Sequence, residues 1–176
     1  MSIQIVILGL LNKEPYHPYE MKKVIIEKKW DQLFSVTDGN LYHAIRKLKA
    51  NKWIEEQKTE EVNNRPSRTV YRITQEGTNH LASSIGEVFQ QKSMDPGSLY
   101  PALLFIHPSH LIEMKPLIID WITDLDNKSE SEMKYDMQIP NLIHKHYKSI
   151  NIAHKNFLQE VINHIESLIA HANEDD

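Results

Sequence analysis

The feature that most limits the fold is one short hairpin set among helices. Trp53-Ile54-Glu55-Glu56 and Thr69-Val70-Tyr71-Arg72-Ile73 are β-prone runs, and the polar stretch Asn63-Asn64-Arg65-Pro66-Ser67-Arg68 lies between them. Two such runs around a polar tip predict a hairpin with a long loop. Helical patterns flank it. Ile3, Val6, Ile7 and Leu10 repeat at helical spacing and Leu11 widens the stripe. Asn12 to Pro18 breaks the pattern with two prolines. A second helix is predicted from about Pro18 to Lys29, with proline in its first turn and Met21, Val24 and Ile25 on its buried side. Ser35-Val36-Thr37-Asp38 has the form of a capping box, with Ser35 as cap, and opens a third helix running to about Lys52. Thr74 is the expected N-cap of a fourth, reaching about Gln91. Three helices, a hairpin and a helix is the order of a winged helix-turn-helix.

Ser93-Met94-Asp95-Pro96-Gly97 marks a junction. Beyond it, Leu111, Met114, Ile118, Trp121 and Leu125 step by three and four, and so do Leu158, Val161, Ile165, Leu168 and Ala172. Both are coiled-coil-like seams. Residues 126–138 are polar and acidic, and suit a loop or a frayed helix end. Phe157, Ile162 and Ile169 widen the last stripe beyond what one partner helix covers, which favours burial in a dimer. The expected class is mostly α (α+β). Residues 1–92 form a winged helix-turn-helix with a two-stranded wing. Residues 93–176 form a helical, coiled-coil-like dimerisation and effector domain, with Leu111, Ile118, Leu125, Leu158, Val161, Ile165 and Leu168 as dimer contacts.

Charge divides along the same line. Residues 1–92 carry 14 Lys and Arg against 11 Asp and Glu; residues 93–176 carry 6 against 13. One half suits a polyanion and the other does not. The chain has no cysteine, which excludes disulfides, thiolate zinc sites and cysteine nucleophiles, and fits a reducing, cytoplasmic setting. No membrane-length apolar run and no basic leader segment is present.

The third helix is the expected reading head. At 100° per residue, Leu41, Ala44, Ile45 and Leu48 share one sector and would pack inward. The opposite sector holds Gly39, His43 and Arg46, with Tyr42 on one shoulder and Asn40 and Lys47 on the other. Gly39 permits close approach to the groove. Asn40, His43 and Arg46 can hydrogen-bond base edges, and Arg can fork onto guanine. Tyr42 and Lys47 suit phosphates. Ser35 and Thr37, with the free N–H groups of the helix start, suit an anion. Asn64, Arg65 and Arg68 at the wing tip, and Lys22 and Lys23 on the second helix, add basic or polar elements to the same surface. A solvated polar face is the plain alternative for any one of these elements; their convergence argues for DNA.

These residues also carry a resemblance. Ile7-Leu8-Gly9-Leu10-Leu11, Tyr19-Glu20 with Lys22-Lys23, Gly39-Asn40-Leu41-Tyr42 with Arg46-Lys47-Leu48, Trp53-Ile54, Arg65-Pro66-Ser67-Arg68, Val70-Tyr71 and Thr74-Gln75-Glu76-Gly77 stand in order over about 70 residues. Residues 1–80 resemble the winged-helix domain of the PadR family of transcriptional regulators. The resemblance implies a cytosolic homodimer on a palindromic operator, usually a repressor, released by a small phenolic or other aromatic effector. The helical tail resembles, by arrangement, that of the longer subfamily, which dimerises through its C-terminal helices. Two positions depart from the family. Pro18 stands where glycine usually precedes the tyrosine matching Tyr19. His43 stands where proline usually follows the tyrosine matching Tyr42.

Gly97-Ser98-Leu99-Tyr100-Pro101-Ala102-Leu103 echoes Gly39-Asn40-Leu41-Tyr42-His43-Ala44-Ile45, but no basic residue lies between Lys92 and Lys115, so apolar packing is its expected role. His144 and His146 would point about 200° apart on a helix, and no carboxylate completes a three-ligand set. No catalytic arrangement, cofactor loop or metal site is predicted. Trp121 is the candidate to line an effector pocket, against a core role. The alternative to a DNA-binding regulator is a winged-helix protein-interaction module that dimerises through its tail.

Overall fold

A computed structural model of the chain describes residues 2–57, 69–129 and 138–174. These form two compact units, Met1–Ile106 and His107–Asp176. The first holds helices α1 (Ser2–Leu11), α2 (Pro18–Glu27) and α3 (Asp38–Ala50), strands β1 (Ile54–Gln57) and β2 (Val70–Ile73), and helices α4 (Gln75–Gln90) and α5 (Pro96–Phe105). The second holds α6 (Pro108–Glu113), α7 (Lys115–Ser129) and α8 (Gln138–Glu174). The molecule is mostly helical, and its described strands make one antiparallel pair, so the winged helix followed by a helical region is the architecture observed.

α1 is the centre of the first unit. Ile5, Val6, Ile7, Leu8, Leu10 and Leu11 are all buried, on every side of the helix rather than along one stripe. A helix apolar all round must be enclosed, and α3, α4, α5 and β2 enclose it. Gly9 makes the closest of these approaches possible. A Cβ there would lie 2.2 Å from Phe105 Cγ on α5. Phe105 in turn meets Trp30 edge to face, ring centroids 5.6 Å apart. The sequence reading ends the first domain at residue 92; the first compact unit runs to Ile106 because α5 packs on α1 and α4. In the echo segment, Leu99, Pro101 and Ala102 are buried. This is the apolar packing that the absence of flanking cations predicts.

Helix starts follow side-chain chemistry. Pro18 occupies the first turn of α2, and His17 caps it: Nδ1 accepts from Tyr19 N–H, while Glu20 returns to accept from the His17 N–H. The departure from the usual glycine thus comes with a built cap. Thr74 caps α4 by accepting from Gly77 N–H at 3.0 Å, as its sequence position predicts. Gly77 is needed there because a Cβ would lie 2.0 Å from the Trp53 carbonyl oxygen. Helix ends use lysine where glycine is common. Lys29, Lys52 and Lys92 follow α2, α3 and α4 with φ of 56°, 61° and 49°. After α3, Trp53 N–H donates to the Leu48 carbonyl and Lys52 N–H to that of Lys49. This is a Schellman closure, and the cation suits the negative helix end.

The hairpin pairs Ile54 with Ile73, Glu55 with Arg72, Glu56 with Tyr71 and Gln57 with Val70. Tyr16 adds a bridge outside β2, exchanging two backbone hydrogen bonds with Tyr71. The Tyr16 hydroxyl donates to Glu14, and that carboxylate holds the phenol up to about 12.

In the second unit the predicted seam from Leu111 to Leu125 lies on two helices rather than one. Pro116 has no N–H to continue the ladder, and α6 gives way to α7 at Met114 and Lys115. α7 runs on to Ser129, through the first part of the stretch expected to be loop or frayed end. Both α6 and α7 pack on α8. Lys115–Glu166 at 3.0 Å and Lys155–Asp126 at 2.5 Å set α7 and α8 antiparallel.

Candidate nucleic-acid interface

The helix-turn-helix is α2, the turn around Trp30–Gln32, and α3. Met21 and Ile25 of α2 and Leu41, Ala44, Ile45 and Leu48 of α3 are buried, so α3 presents the sector predicted from its 100° spacing. Tyr42, His43, Arg46 and Lys47 are exposed on it. Among the described residues, His43, Arg46 and Lys47 have no hydrogen-bond or ion-pair partner. Unpaired cations on a helix face cost nothing in water, and they are available to an anionic partner.

The start of α3 differs from the expectation. Its N-cap is Thr37, not Ser35. Thr37 Oγ1 accepts from Asn40 N–H at 3.2 Å and Asn40 Oδ1 accepts from Thr37 N–H at 2.9 Å. Phe34 is buried, so the chain is still turning into the core at Ser35 and only then frees itself to start the helix. Ser35 serves through its carbonyl, which accepts from Asn40 Nδ2 at 3.1 Å. Asn40 is therefore tied on both ends of its amide, within the helix start. Thr37-Asp38-Gly39-Asn40 has the same S/T-x-x-polar form as the segment two residues earlier. That overlap is the signal the sequence reading passed over.

Gly39 needs no glycine for the chain's own packing. A Cβ there would meet only Thr37 Oγ1, at 3.9 Å, in contrast to Gly9 and Gly77. Lys22 and Lys23 reach this surface from α2. A cleft of about 480 Å³ between the two helices is lined by both lysines together with Tyr19, Ile26, Asp38 and Tyr42. Lys22 Nζ lies 2.7 Å from Asp38 Oδ1, an interhelical ion pair with no forewarning in the sequence. Lys23 faces Glu27 at 3.6 Å. At the wing root Arg72 pairs with Glu55 at 2.8 Å and Lys49 with Glu56 at 2.5 Å. Asn64, Arg65 and Arg68 lie outside the described residues.

The dimer and effector candidates of the second unit are placed differently. Leu111, Ile118, Leu125, Leu158 and Ile165 are buried in the chain's own packing, and Val161 and Leu168 are half-buried. Trp121 is only 2% exposed. What α8 leaves in solvent is another set: Ile139, Leu142, Ile143, Tyr147, Ile150 and Phe157, which the sequence seam did not single out apart from Phe157. Among the described residues no helix is long and apolar enough to cross a membrane.

A helix-turn-helix whose second helix offers a free basic face, followed by a β-hairpin, defines a DNA-binding regulator of the winged-helix class. The family model of the transcriptional regulator PadR-like family matches residues 7–83. The chain belongs to that family, one of transcriptional regulators and not of enzymes. A transcriptional regulator from Clostridium thermocellum (Cth-833) is 32% identical over 51% of this chain and 82% of that one, with a TM-score of 0.45. A PadR family transcription regulator from Clostridium difficile R20291 is 24% identical over 52% and 92%, with a TM-score of 0.44. Bacillus subtilis PadR in complex with operator DNA is 16% identical over 97% and 99%, with a TM-score of 0.43. Among curated proteins none matches the chain.

Proposed function

We propose that the chain is a homodimeric repressor that reads a palindromic operator with α3. A small aromatic effector would release it. The observation that carries the reading is the exposed face of α3: Arg46 and Lys47 stand free there with His43, and Tyr42 shares a cleft with the lysines of α2. A helix so placed fits a major groove N-terminus first. In this reading Arg46 and His43 meet base edges, Tyr42, Lys47, Lys22 and Lys23 meet phosphates, and Gly39 lets the helix start come close. Ser35, Thr37 and Asn40 hold the geometry of that start. Asn64, Arg65 and Arg68 remain proposed wing contacts. Residues 1–92 carry DNA binding, and residues 93–176 the dimer and effector functions.

The dimer contact is best supplied by the open apolar stripe of α8, from Ile139 to Phe157. The buried seam through Leu158 and Ile165 acts by fixing α8 against α6 and α7. Trp121, enclosed in that core, supports the fold rather than an open ligand surface. The effector rests on family membership alone.

The test is a titration of full-length protein onto its own upstream region across a salt series. Operator binding should weaken steeply as salt rises, by a slope set by the phosphates engaged. Arg46→Ala should cost about 1–3 kcal/mol and relax preference at one base position. Equal weakening on every duplex would make Arg46 a phosphate contact instead. No retardation at low salt would remove the DNA-reading role and leave a protein-interaction module.

A further inference from the structure

We infer that Asp38 determines which base α3 accepts at its N-terminal end; the inference rests on the DNA-reading role proposed above. Asp38 is the first residue of α3, and its side chain is 68% exposed although one oxygen is engaged by Lys22. Its neighbours narrow the possibilities. Gly39 has no side chain, and the Asn40 amide is tied to Thr37 and Ser35. Asp38 is thus the residue of this opening trio with a free hydrogen-bonding atom: Oδ1 accepts a hydrogen bond from Lys22 Nζ, and Oδ2 has no partner among the described residues.

Stability explains a carboxylate at this position only in part: the exposed ion pair contributes little, and the positive end of the helix favours a carboxylate there modestly, whether or not DNA is the target. It is unfavourable to phosphate, which is what a merely basic surface would attract. What it does well is choose. A carboxylate only accepts hydrogen bonds, so in the major groove it needs an amino group. Cytosine offers N4–H₂. Adenine offers an amino group too, but its N7 acceptor lies alongside and favours an amide partner over a carboxylate. Guanine O6 and N7 and thymine O4 present acceptors, and the carboxylate is repelled by them. Lys22 fits the same scheme. It neutralises Asp38 enough to let the helix approach a polyanion, and by holding Oδ1 it leaves Oδ2 as the reading atom. Specificity of this kind comes from penalising wrong sites as well as from binding the right one.

The experiment selects binding sites from a pool of random-sequence duplexes with full-length wild type, Asp38→Asn, Asp38→Ala and Lys22→Met. It then measures affinity for the selected duplex and for a scrambled one. Wild type should enrich cytosine at one position of each half-site. Asp38→Asn should lose that cytosine in favour of adenine, and Asp38→Ala should lose it without a replacement. Both should bind the scrambled duplex about 3–10-fold more tightly, since a repulsive charge near phosphate is gone. Lys22→Met leaves the carboxylate unneutralised and should weaken binding to both duplexes while keeping the cytosine. Asp38 is exposed and outside the Thr37–Asn40 cap, so the folded state is checked simply by unchanged circular dichroism. A selected site that is the same for wild type and both Asp38 variants, with the same ratio of affinities, overturns this inference and leaves the DNA-reading role standing. A wild type that enriches no sequence overturns both.

Discussion

α3 and α8 each bury one stripe and expose the other, but they expose opposite chemistry. α3 turns Tyr42, His43, Arg46 and Lys47 outward. α8 turns Ile139, Leu142, Ile143, Tyr147 and Ile150 outward. The first face is at ease in water and waits for charge. The second loses about 25 cal/mol for every Å² of apolar surface it leaves wet, and several such residues on adjacent turns exceed the scattered exposure normal for a monomer. Solubility therefore predicts different partners for the two helices: a polyanion for α3, an apolar surface for α8. A second copy of the same chain is the simplest apolar partner, because one stripe then covers another.

The largest expected effect breaks that contrast at α8. Leu142→Glu with Ile143→Glu makes its face resemble the polar face of α3. Burying even one such charge unpaired is costly, and a two-fold contact repeats it in both copies. The dissociation constant of the dimer should rise by more than about 100-fold, which is roughly 3 kcal/mol. Sedimentation at micromolar concentration reads this directly as a monomer. If the wild type is already a monomer there, the stripe does not serve a dimer. If the variant remains a dimer, the contact lies elsewhere.

A pair of glycines sharpens the comparison inside the first unit. Gly9 is required by the protein, since its Cβ would collide with Phe105, whereas Gly39 faces open space. Gly9→Ala should lower unfolding stability by about 1–3 kcal/mol through overpacking. Gly39→Ala should leave stability unchanged or raise it by up to about 1 kcal/mol, because alanine favours helix, while weakening operator binding by about 1 kcal/mol, roughly fivefold. Thermal melts and duplex titrations separate the two. Loss of stability without loss of binding at Gly39 would mean that the glycine serves the chain and not the groove.

Much of this was legible from spacing. The inward sector of α3 followed from 100° per residue, and Thr74 announced α4. Three things were not. A capping box is a local pattern, and two of them overlap between Ser35 and Asn40; the burial of Phe34, a tertiary fact, selects Thr37. The left-handed residues that end α2, α3 and α4 are lysines, so the usual glycine marker is missing. The heptad-like seams were real, but a period states only that a face is covered, not by whom. The antiparallel pairing of α7 with α8 fills those seams from within the chain, and the face left for a partner is the one that lacked a strict repeat. Likewise the Lys22–Asp38 pair joins residues sixteen apart on two helices, a distance no local pattern spans.

The smallest expected effect tests how firmly the hairpin is mounted on α4. The His80 ring of α4 stacks on Trp53 at the root of β1, ring centroids 3.4 Å apart and 17° from parallel. Burial lowers the pKa of His80 below the usual 6.5, with Glu87 pulling weakly the other way. The folded state thus prefers the neutral ring, while the unfolded chain takes up a proton at the ordinary value. The contribution to stability is complete above about pH 6.5 and is lost as pH falls through the depressed value. The ring is half-buried rather than enclosed, so the loss should be small, with a melting-temperature difference of roughly a degree or two between pH 7.5 and 5.5. His80→Gln should remove that part of the acid sensitivity. NMR titration of the His80 ring gives the sharper reading: a midpoint below 6.5 supports a stack that excludes water from one imidazole face. A midpoint at or above 6.5 would mean that the contact with Trp53 does not persist in solution, and that the wing root moves independently of α4.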